Sequence, residues 1–307
     1  MQTPRIAIIG AGLMGVGIAT HFARHGHSVL LRDVSAERLA DVPVIAKSIL
    51  EELSAAGSFD AAETTAVLQR IKTSDSLADV AGATLLIEAI PERLALKHAL
   101  YAELESIVSP DTIIASNTSG FPPDQLAQGM THPERLLIAH FWNPPHLIPL
   151  VELVPGEKTE PSCVQAVQGA LQVMDLEVVL LKHAIPGFIG NRLQFAVLRE
   201  ALHIVQSGAA SPEDVDRVMR ASLGRRYSMV GPLEAADMGG LDTFLDIASH
   251  LMPVLAKDED VLNALRERVA QGKTGLRSGA GFYAWDEERK ARIAKRRTHQ
   301  LSHALRP

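Results

Sequence analysis

Over the first 180 residues, short apolar runs alternate with stretches whose apolar positions recur at the spacing of a helix face. The runs fall at residues 5–9, 28–31, 84–87, 112–115, 136–141, 150–154 and 177–181. Near-continuous apolar character in so short a run suits a strand buried on both faces, and the helical stretches between runs supply the crossovers that parallel strands need. The pattern predicts a mostly parallel sheet covered by helices on both sides. Between the second and third runs lies a longer insert, residues 36–69. It reads as two helices broken near Gly57 and Ser58, projecting as a helical arm.

Beyond residue 181 the β-type runs thin out and helix signals take over. Residues 188–206 read as a long apolar-rich helix ended by Gly208. Ser211, Pro212, Glu213 and Asp214 form a helix start: a capping hydroxyl, a proline in the first turn and an acidic residue at the third position. Gly224 is placed to stop that helix. The chain therefore reads as α/β followed by all-α, with domains at residues 1–184 and 185–307. A length of 307 residues, at about 150 residues per domain, is enough for two buried cores. No internal repeat is visible, which sets aside solenoids and propellers.

Composition narrows the class further. Apolar residues make up 47% and charged residues 21%, a globular balance. Thirty basic against thirty-six acidic residues give a net charge of −6, which argues against a nucleic-acid partner. Cys163 is the one cysteine, so no intramolecular disulfide is possible, and no Cys/His cluster has zinc spacing. The N-terminus lacks the features of a signal peptide, and no stretch reaches the roughly 18 apolar residues of a membrane span. The expectation is a soluble cytoplasmic protein without membrane or metal.

Gly10, Gly12 and Gly15, with Leu13 and Met14 between the last two, follow the first strand and open a helical pattern. The first glycine permits a tight turn, the second lets the backbone approach a pyrophosphate, and the third allows close packing of helix on strand. A second strand follows and ends at Asp33, eighteen residues beyond Gly15. A carboxylate there accepts bonds from the adenosine ribose and repels a 2′-phosphate. The unit is a Rossmann-type dinucleotide site and favours NAD over NADP.

A dehydrogenase also needs a base for the hydroxyl proton, placed at the carboxyl edge of the sheet. Residues 116–120, Ser-Asn-Thr-Ser-Gly, and His140, in a His-Phe-Trp-Asn-Pro-Pro segment, both follow or end β-type runs there. His140 and Glu152 are symmetric about residue 146, inside a proline-rich turn. A hairpin about that turn would make them cross-strand neighbours, with Cβ atoms about 5 Å apart. A carboxylate beside an imidazole fixes its tautomer, stabilises the protonated form and raises its pKa toward the working range. Ser116 reads as structural. His146 either contacts substrate or fills the turn.

With these residues in place, the chain resembles the 3-hydroxyacyl-CoA dehydrogenase family over nearly its full length. The motifs that carry the resemblance are Gly10 to Gly15, Glu88-Ala89-Ile90-Pro91-Glu92, Ala115 to Ser119, His140 to Pro144, Pro186 to Arg192, Gly231-Pro232 and Gly279 to Tyr283. The resemblance implies that His140 is the general base with Glu152 as its partner, and that Ser119 and Asn191 hold the substrate oxygens. It implies that Asn143 orders the active-site loop and contacts the nicotinamide, and that Glu92, Lys97 and Ser119 lie at the cofactor. Arg277 stands where many members have a lysine near the nicotinamide end; the charge is kept and the geometry changed. Dimerisation through the helical domain and a place in fatty-acid metabolism are implied as well.

Two features depart from that pattern. Coenzyme A users have a lysine-rich stretch in the helical arm, whereas residues 47–57 here hold one lysine and two glutamates. Acidic side chains facing a polyanionic ligand cost affinity. The segments 143–149 and 224–227 look closer to the branch holding L-gulonate 3-dehydrogenase (lambda-crystallin) and a pyridine-ring dehydrogenase of vitamin B6 breakdown. Arg226 in the second segment, with Arg225 beside it, could take a free carboxylate in a bidentate fork. The expected activity is NAD-dependent oxidation of a 3-hydroxy group to a 3-oxo group, on a 3-hydroxyacyl-CoA or a free 3-hydroxy acid. The alternatives are a dehydrogenase of small polar carboxylates that needs no CoA, and a non-catalytic NAD-binding protein of crystallin type.

Overall fold

The computed structural model describes residues 4–257 and 259–304. By its internal contacts the chain forms two compact units, Met1–Asn191 together with Lys295–Pro307, and Arg192–Ala294.

The first unit opens with β1 (Ile6–Ile9), α1 (Leu13–Arg24), β2 (Val29–Arg32), α2 (Ala36–Ala55), α3 (Thr64–Arg70), β3 (Ile71–Ser74) and β4 (Leu85–Glu88). It continues with α4 (Leu94–Glu105), β5 (Ile113–Ser116), α5 (Pro123–Leu126), β6 (Leu136–Phe141), β7 (Leu150–Pro155), α6 (Pro161–Gln172) and β8 (Glu177–Leu180). The eight strands lie in the order β3-β2-β1-β4-β5-β6-β7-β8. The pairings from β3 across to β6 are all parallel, β6 meets β7 antiparallel, and β7 and β8 are parallel to one another. The carboxyl ends of β1 to β6 therefore share one edge, and the chain order reverses between β1 and β4, the crevice where such sheets bind ligands.

Both faces of the sheet are buried along its central strands, while the edge strand β8 keeps Glu177, Val179 and Leu180 exposed. In β1, Ile6 and Ile8 join one core with Val16, Ile18 and Phe22 of α1, while Ala7 and Ile9 join the other with Tyr101 and Leu104 of α4. The strand the sequence hides is β3. It is an edge strand with Lys72 and Thr73 exposed, so it needs no apolar run. The arm consists of α2 and α3, separated at Gly57, whose φ of 75° a side chain would resist. It is packed along the unit: Val42, Ala46, Ile49, Leu50 and Leu53 are buried, and Leu50 and Val67 close on Ala23 of α1.

The helices that follow are α7 (Gly190–Gln206), α8 (Pro212–Ala221), α9 (Leu223–Arg226), α10 (Pro232–Gly239), α11 (Leu241–Leu251), α12 (Asn263–Ala270) and α13 (Glu287–Ala304). The core of the second unit gathers Leu202, Ala256, Val261 and Ala264, with Leu198, Leu265 and Phe282 against them. Two helix boundaries differ from expectation. Helix α7 begins at Gly190 rather than at residue 188, because Phe188 has a φ of 52°. Helix α8 stops at Ser222, and Gly224 lies inside α9, where a Cβ would come within 3.0 Å of the Met219 carbonyl; close approach, not helix termination, calls for that glycine. Ser211 does cap α8, accepting the Asp214 N–H at 3.2 Å. Helix α13 concentrates Arg289, Lys290, Arg292, Lys295, Arg296 and Arg297, a basic run that the overall charge conceals. Among the described residues no helix is long and apolar enough to cross a membrane.

Candidate active site

The hairpin β6–β7 sets its register so that His140 pairs with Glu152. Both side chains are buried, and His140 Nδ1 lies 3.0 Å from Glu152 Oε2. The Trp142 indole N–H donates to the same oxygen at 3.3 Å. The other oxygen accepts the backbone N–H groups of Ile189 and Gly190 at 2.8 and 3.0 Å. Those donors are aimed by a turn in which Gly187 and Phe188 both have positive φ. The turn also brings the Phe188 ring centroid to 5.4 Å from that of His140. Residue 190 must be glycine, because a Cβ there would run into the Trp142 ring. Burial alone would push the Glu152 carboxyl up; the bonds from His140, Gly190, Ile189 and Trp142 outweigh it and hold the group below the usual carboxylate range.

The loop after β5 reaches the same edge of the sheet. Asn117 Oδ1 accepts the Phe141 N–H at 2.8 Å, tying the loop to the residue after His140. Glu92 Oε1 accepts the N–H groups of Ser119 and Gly120, each at 3.1 Å, and the Thr118 hydroxyl. The Asn191 amide donates to the Ser119 carbonyl at 3.4 Å, so these two residues meet. The Ser119 side chain is exposed, as are Glu92 and Asn143.

Behind this loop lies a buried network that takes in Lys97, expected at the cofactor, and Ser116, expected to be structural, and joins them to Glu88 and Tyr101. Glu88, at the end of β4, is fully buried and accepts from Lys97 Nζ at 2.7 and 2.9 Å, from the Tyr101 and Ser116 hydroxyls at 2.7 Å, and from the Ile90 N–H at 2.9 Å. Lys97 is itself buried, with Glu92 Oε2 at 3.4 Å. Its charge is spent on two carboxylates, so Lys97 sits behind the loop while Glu92 faces outward. The spacing of Glu88, Lys97 and Tyr101, with the lysine and tyrosine one turn apart on α4, was the available signal. Burial decides it, and burial is not written in spacing.

The glycine loop has the features a pyrophosphate requires. Gly10 has a φ of 110°, and a Cβ there would lie 2.5 Å from the Ala89 carbonyl oxygen; one on Gly15 would collide with the Gly10 carbonyl. A Cβ on Gly12 would meet nothing within 4 Å. Helix α1 starts there without a side-chain cap and without an acidic residue in its first turn, so its N–H groups are open to an anion. Leu13 is exposed beside them and Met14 is half-buried. Asp33 is buried at the end of β2. It accepts the Ala11 N–H at 2.7 Å and the Ser35 N–H at 2.9 Å, with Arg38 at 3.7 Å. These residues fit NAD. Arg226, on α9, and Arg277 are exposed in the second unit. His146 is buried in the turn between β6 and β7 and bonds Glu52 of α2 at 3.3 Å.

Comparison with known proteins identifies the family and agrees with the fold. Residues 5–184 match the NAD-binding domain of 3-hydroxyacyl-CoA dehydrogenase, and residues 187–285 match that enzyme's C-terminal domain. The chain is 34% identical over 300 residues to 5-formyl-3-hydroxy-2-methylpyridine 4-carboxylate 5-dehydrogenase of Mesorhizobium japonicum, covering 96% of this chain and 95% of that protein. It is 36% identical over 294 residues to a probable 3-hydroxybutyryl-CoA dehydrogenase of Bacillus subtilis, covering 94% and 99%. A crystal structure of a 5-formyl-3-hydroxy-2-methylpyridine 4-carboxylic acid 5-dehydrogenase, described as an NAD+-dependent dismutase, superposes with a TM-score of 0.89 at 33% identity over 98% of this chain and 97% of that one. The chain belongs to the 3-hydroxyacyl-CoA dehydrogenase family and is an NAD-dependent dehydrogenase.

Proposed function

We propose that the enzyme oxidises a hydroxyl-bearing carbon in a small free carboxylate, with His140 as base and Glu152 as its partner. The observation that carries the chemistry is the buried His140–Glu152 pair at the sheet edge where the glycine loop also opens. NAD, when bound, supplies the hydride acceptor. Glu152 holds a proton on Nδ1 of His140, which leaves Nε2 to take the hydroxyl proton, and its negative charge stabilises the imidazolium that results. Ser119 and Asn191 orient the reacting oxygen. Gly10, Gly12, Leu13, Met14 and Gly15 cradle the pyrophosphate, and Asp33 takes the adenosine ribose. Glu92, Asn143 and Arg277 complete the cofactor site, with Lys97 acting through Glu92.

The preference for a free acid over a CoA thioester rests on the arm. Lys47 is paired with Glu51 at 3.6 Å, and Glu52 is engaged by His146 and Arg297. That stretch presents no uncommitted cation to a polyanionic nucleotide. Arg226 is the candidate for the substrate carboxylate. Dimerisation through the second unit is proposed because Leu233, Met238, Leu241, Leu245 and Met252 are exposed on and beside α10 and α11. A cytoplasmic location suits a chain with a single cysteine.

The test is a parallel assay of NADH formation with 3-hydroxybutyryl-CoA, free 3-hydroxy acids including gulonate, and a formylpyridine carboxylate. Turnover confined to free acids is expected. Turnover of the thioester alone would overturn the substrate reading and point to fatty-acid metabolism. His140→Ala should lower kcat by roughly 10²–10⁴-fold with NAD affinity retained; full activity would remove the base assignment. Arg226→Ala should raise KM for the carboxylate substrate, and an unchanged KM would discard its role.

A further inference from the structure

The turn between β6 and β7 is held from two sides by groups that neither the cofactor loop nor the acid–base pair uses. On one side it presses on α1: a Cβ at Gly17 would lie 2.6 Å from Pro145 Cγ, so helix and turn are in direct contact. On the other, His146, 7% exposed, points its Nε2 at Glu52 Oε2 at 3.3 Å. Glu52 in turn receives a fork from Arg297, whose Nε lies 2.9 Å from Oε1 and whose terminal nitrogen donates to Oε2 at 3.3 Å. Arg297 belongs to the segment from Lys295 onward that packs with the first unit. The chain Arg297–Glu52–His146 thus runs from the last helix, through the arm, into the turn that carries Asn143. His146 Nδ1 has no hydrogen-bond partner, so the contact with Glu52 is the polar tie that holds the ring.

We propose that Glu52, aimed by Arg297, is a positioning residue that fixes the active-site turn through His146. Its task is to keep residues 143–149 seated on α1, the helix whose N-terminus opens the dinucleotide site. This rests on the reading of that site as the NAD site. It also gives the acid of the arm a use inside the protein. A carboxylate is required because both of its oxygens accept, Oε1 from Arg297 and Oε2 from Arg297 and His146; a glutamine would turn its NH2 group against one of these donors, and a lysine accepts nothing. Loosening the turn should weaken NAD and leave the His140–Glu152 bond in place, because β6 and β7 remain paired.

The test uses the full chain with Trp285→Phe, which leaves Trp142, next to Asn143, as the single indole. Arg297→Ala and Glu52→Gln are compared with Arg297→Lys by acrylamide quenching of Trp142 and by direct titration with NADH. Both disruptive variants should quench more readily and bind NADH about tenfold more weakly, the size of loss expected when a preorganised binding loop is released. Arg297→Lys should recover part of both. Arg297 is half-exposed on a helix surface, so its alanine variant should fold even if Glu52→Gln does not. Unchanged quenching, or a change in quenching without a change in NADH affinity, overturns the proposal. Neither readout needs a substrate, so a failure here stands apart from a failure of the substrate assignment.

Discussion

His140 Nδ1 lies 3.0 Å from Glu152 Oε2, and a carboxylate that only accepts hydrogen bonds fixes the ring proton on that nitrogen. Glu152 serves four donors in all: this ring, the Trp142 indole and the N–H groups of Ile189 and Gly190. Glutamine keeps the size of the side chain but offers one acceptor oxygen. Glu152→Gln should therefore lower kcat by about 10²-fold and reduce unfolding free energy by roughly 1–3 kcal/mol. Steady-state kinetics and urea unfolding check the two parts. The folded carboxyl titrates below its ordinary 4.5, so its contribution to stability is present above that pH and is lost as pH falls through the lower folded value. The glutamine variant should lack that acidic decline.

The three glycines of the cofactor loop should separate when each is replaced by alanine. At Gly15 a Cβ collides with backbone, and at Gly10 it meets the Ala89 carbonyl in a left-handed conformation; both replacements should destabilise or prevent folding. At Gly12 the φ of −79° is ordinary and the space is open. Gly12→Ala should keep its unfolding midpoint while NADH affinity falls at least about tenfold, because the methyl occupies the approach of the pyrophosphate. Equal affinity in the Gly12 variant would mean that the phosphates lie elsewhere.

The sequence disclosed the parts of this fold whose causes are local. Buried strands such as β1 and β4 carry their burial as unbroken apolar runs, and the symmetric spacing of His140 and Glu152 about residue 146 translates directly into register. It hid β3, because an edge strand with Lys72 and Thr73 exposed carries no apolar signature. It misread Phe188 and Gly224 for a related reason. One is forced out of the helix by the turn that aims N–H groups at Glu152, and the other is glycine because of a carbonyl from the preceding helix. Glu52 and His146 are 94 residues apart. Neither spacing nor charge count could have joined them.

Glu88 illustrates what removing one member of a buried charged network should do. Its carboxylate is fully enclosed and holds Lys97, which is itself enclosed. Glu88→Ala would leave that ammonium with Glu92 at 3.4 Å as its remaining carboxylate partner and two hydroxyls without their acceptor. The expected loss is about 3–5 kcal/mol, the range for breaking a buried ion pair from one side. The double variant Glu88→Leu with Lys97→Met removes both charges and should recover much of it. A single variant as stable as the parent, measured by urea unfolding, would mean that the network contributes nothing.

His21 should make the protein acid-sensitive well above the range where carboxylates titrate. It is buried on α1, and burial, followed by the nearby His25 and Arg24, pushes its pKa from 6.5 down to about 3, against a bond from Nε2 to the Met174 carbonyl that works the other way. The folded protein thus keeps this ring neutral while the unfolded chain protonates it. Below pH 6.5 the unfolded state binds the extra proton, so stability falls as pH drops and the loss is complete only near the folded value. Integrated over that window, one such group removes on the order of 5 kcal/mol. Glutamine can place an amide N–H close to where Nε2–H points, and it does not titrate. Chemical denaturation of His21→Gln between pH 7 and pH 4 should give a flatter stability profile than the parent, even where the variant is weaker at neutral pH. Parallel profiles would show that the ring does not control the acid limb.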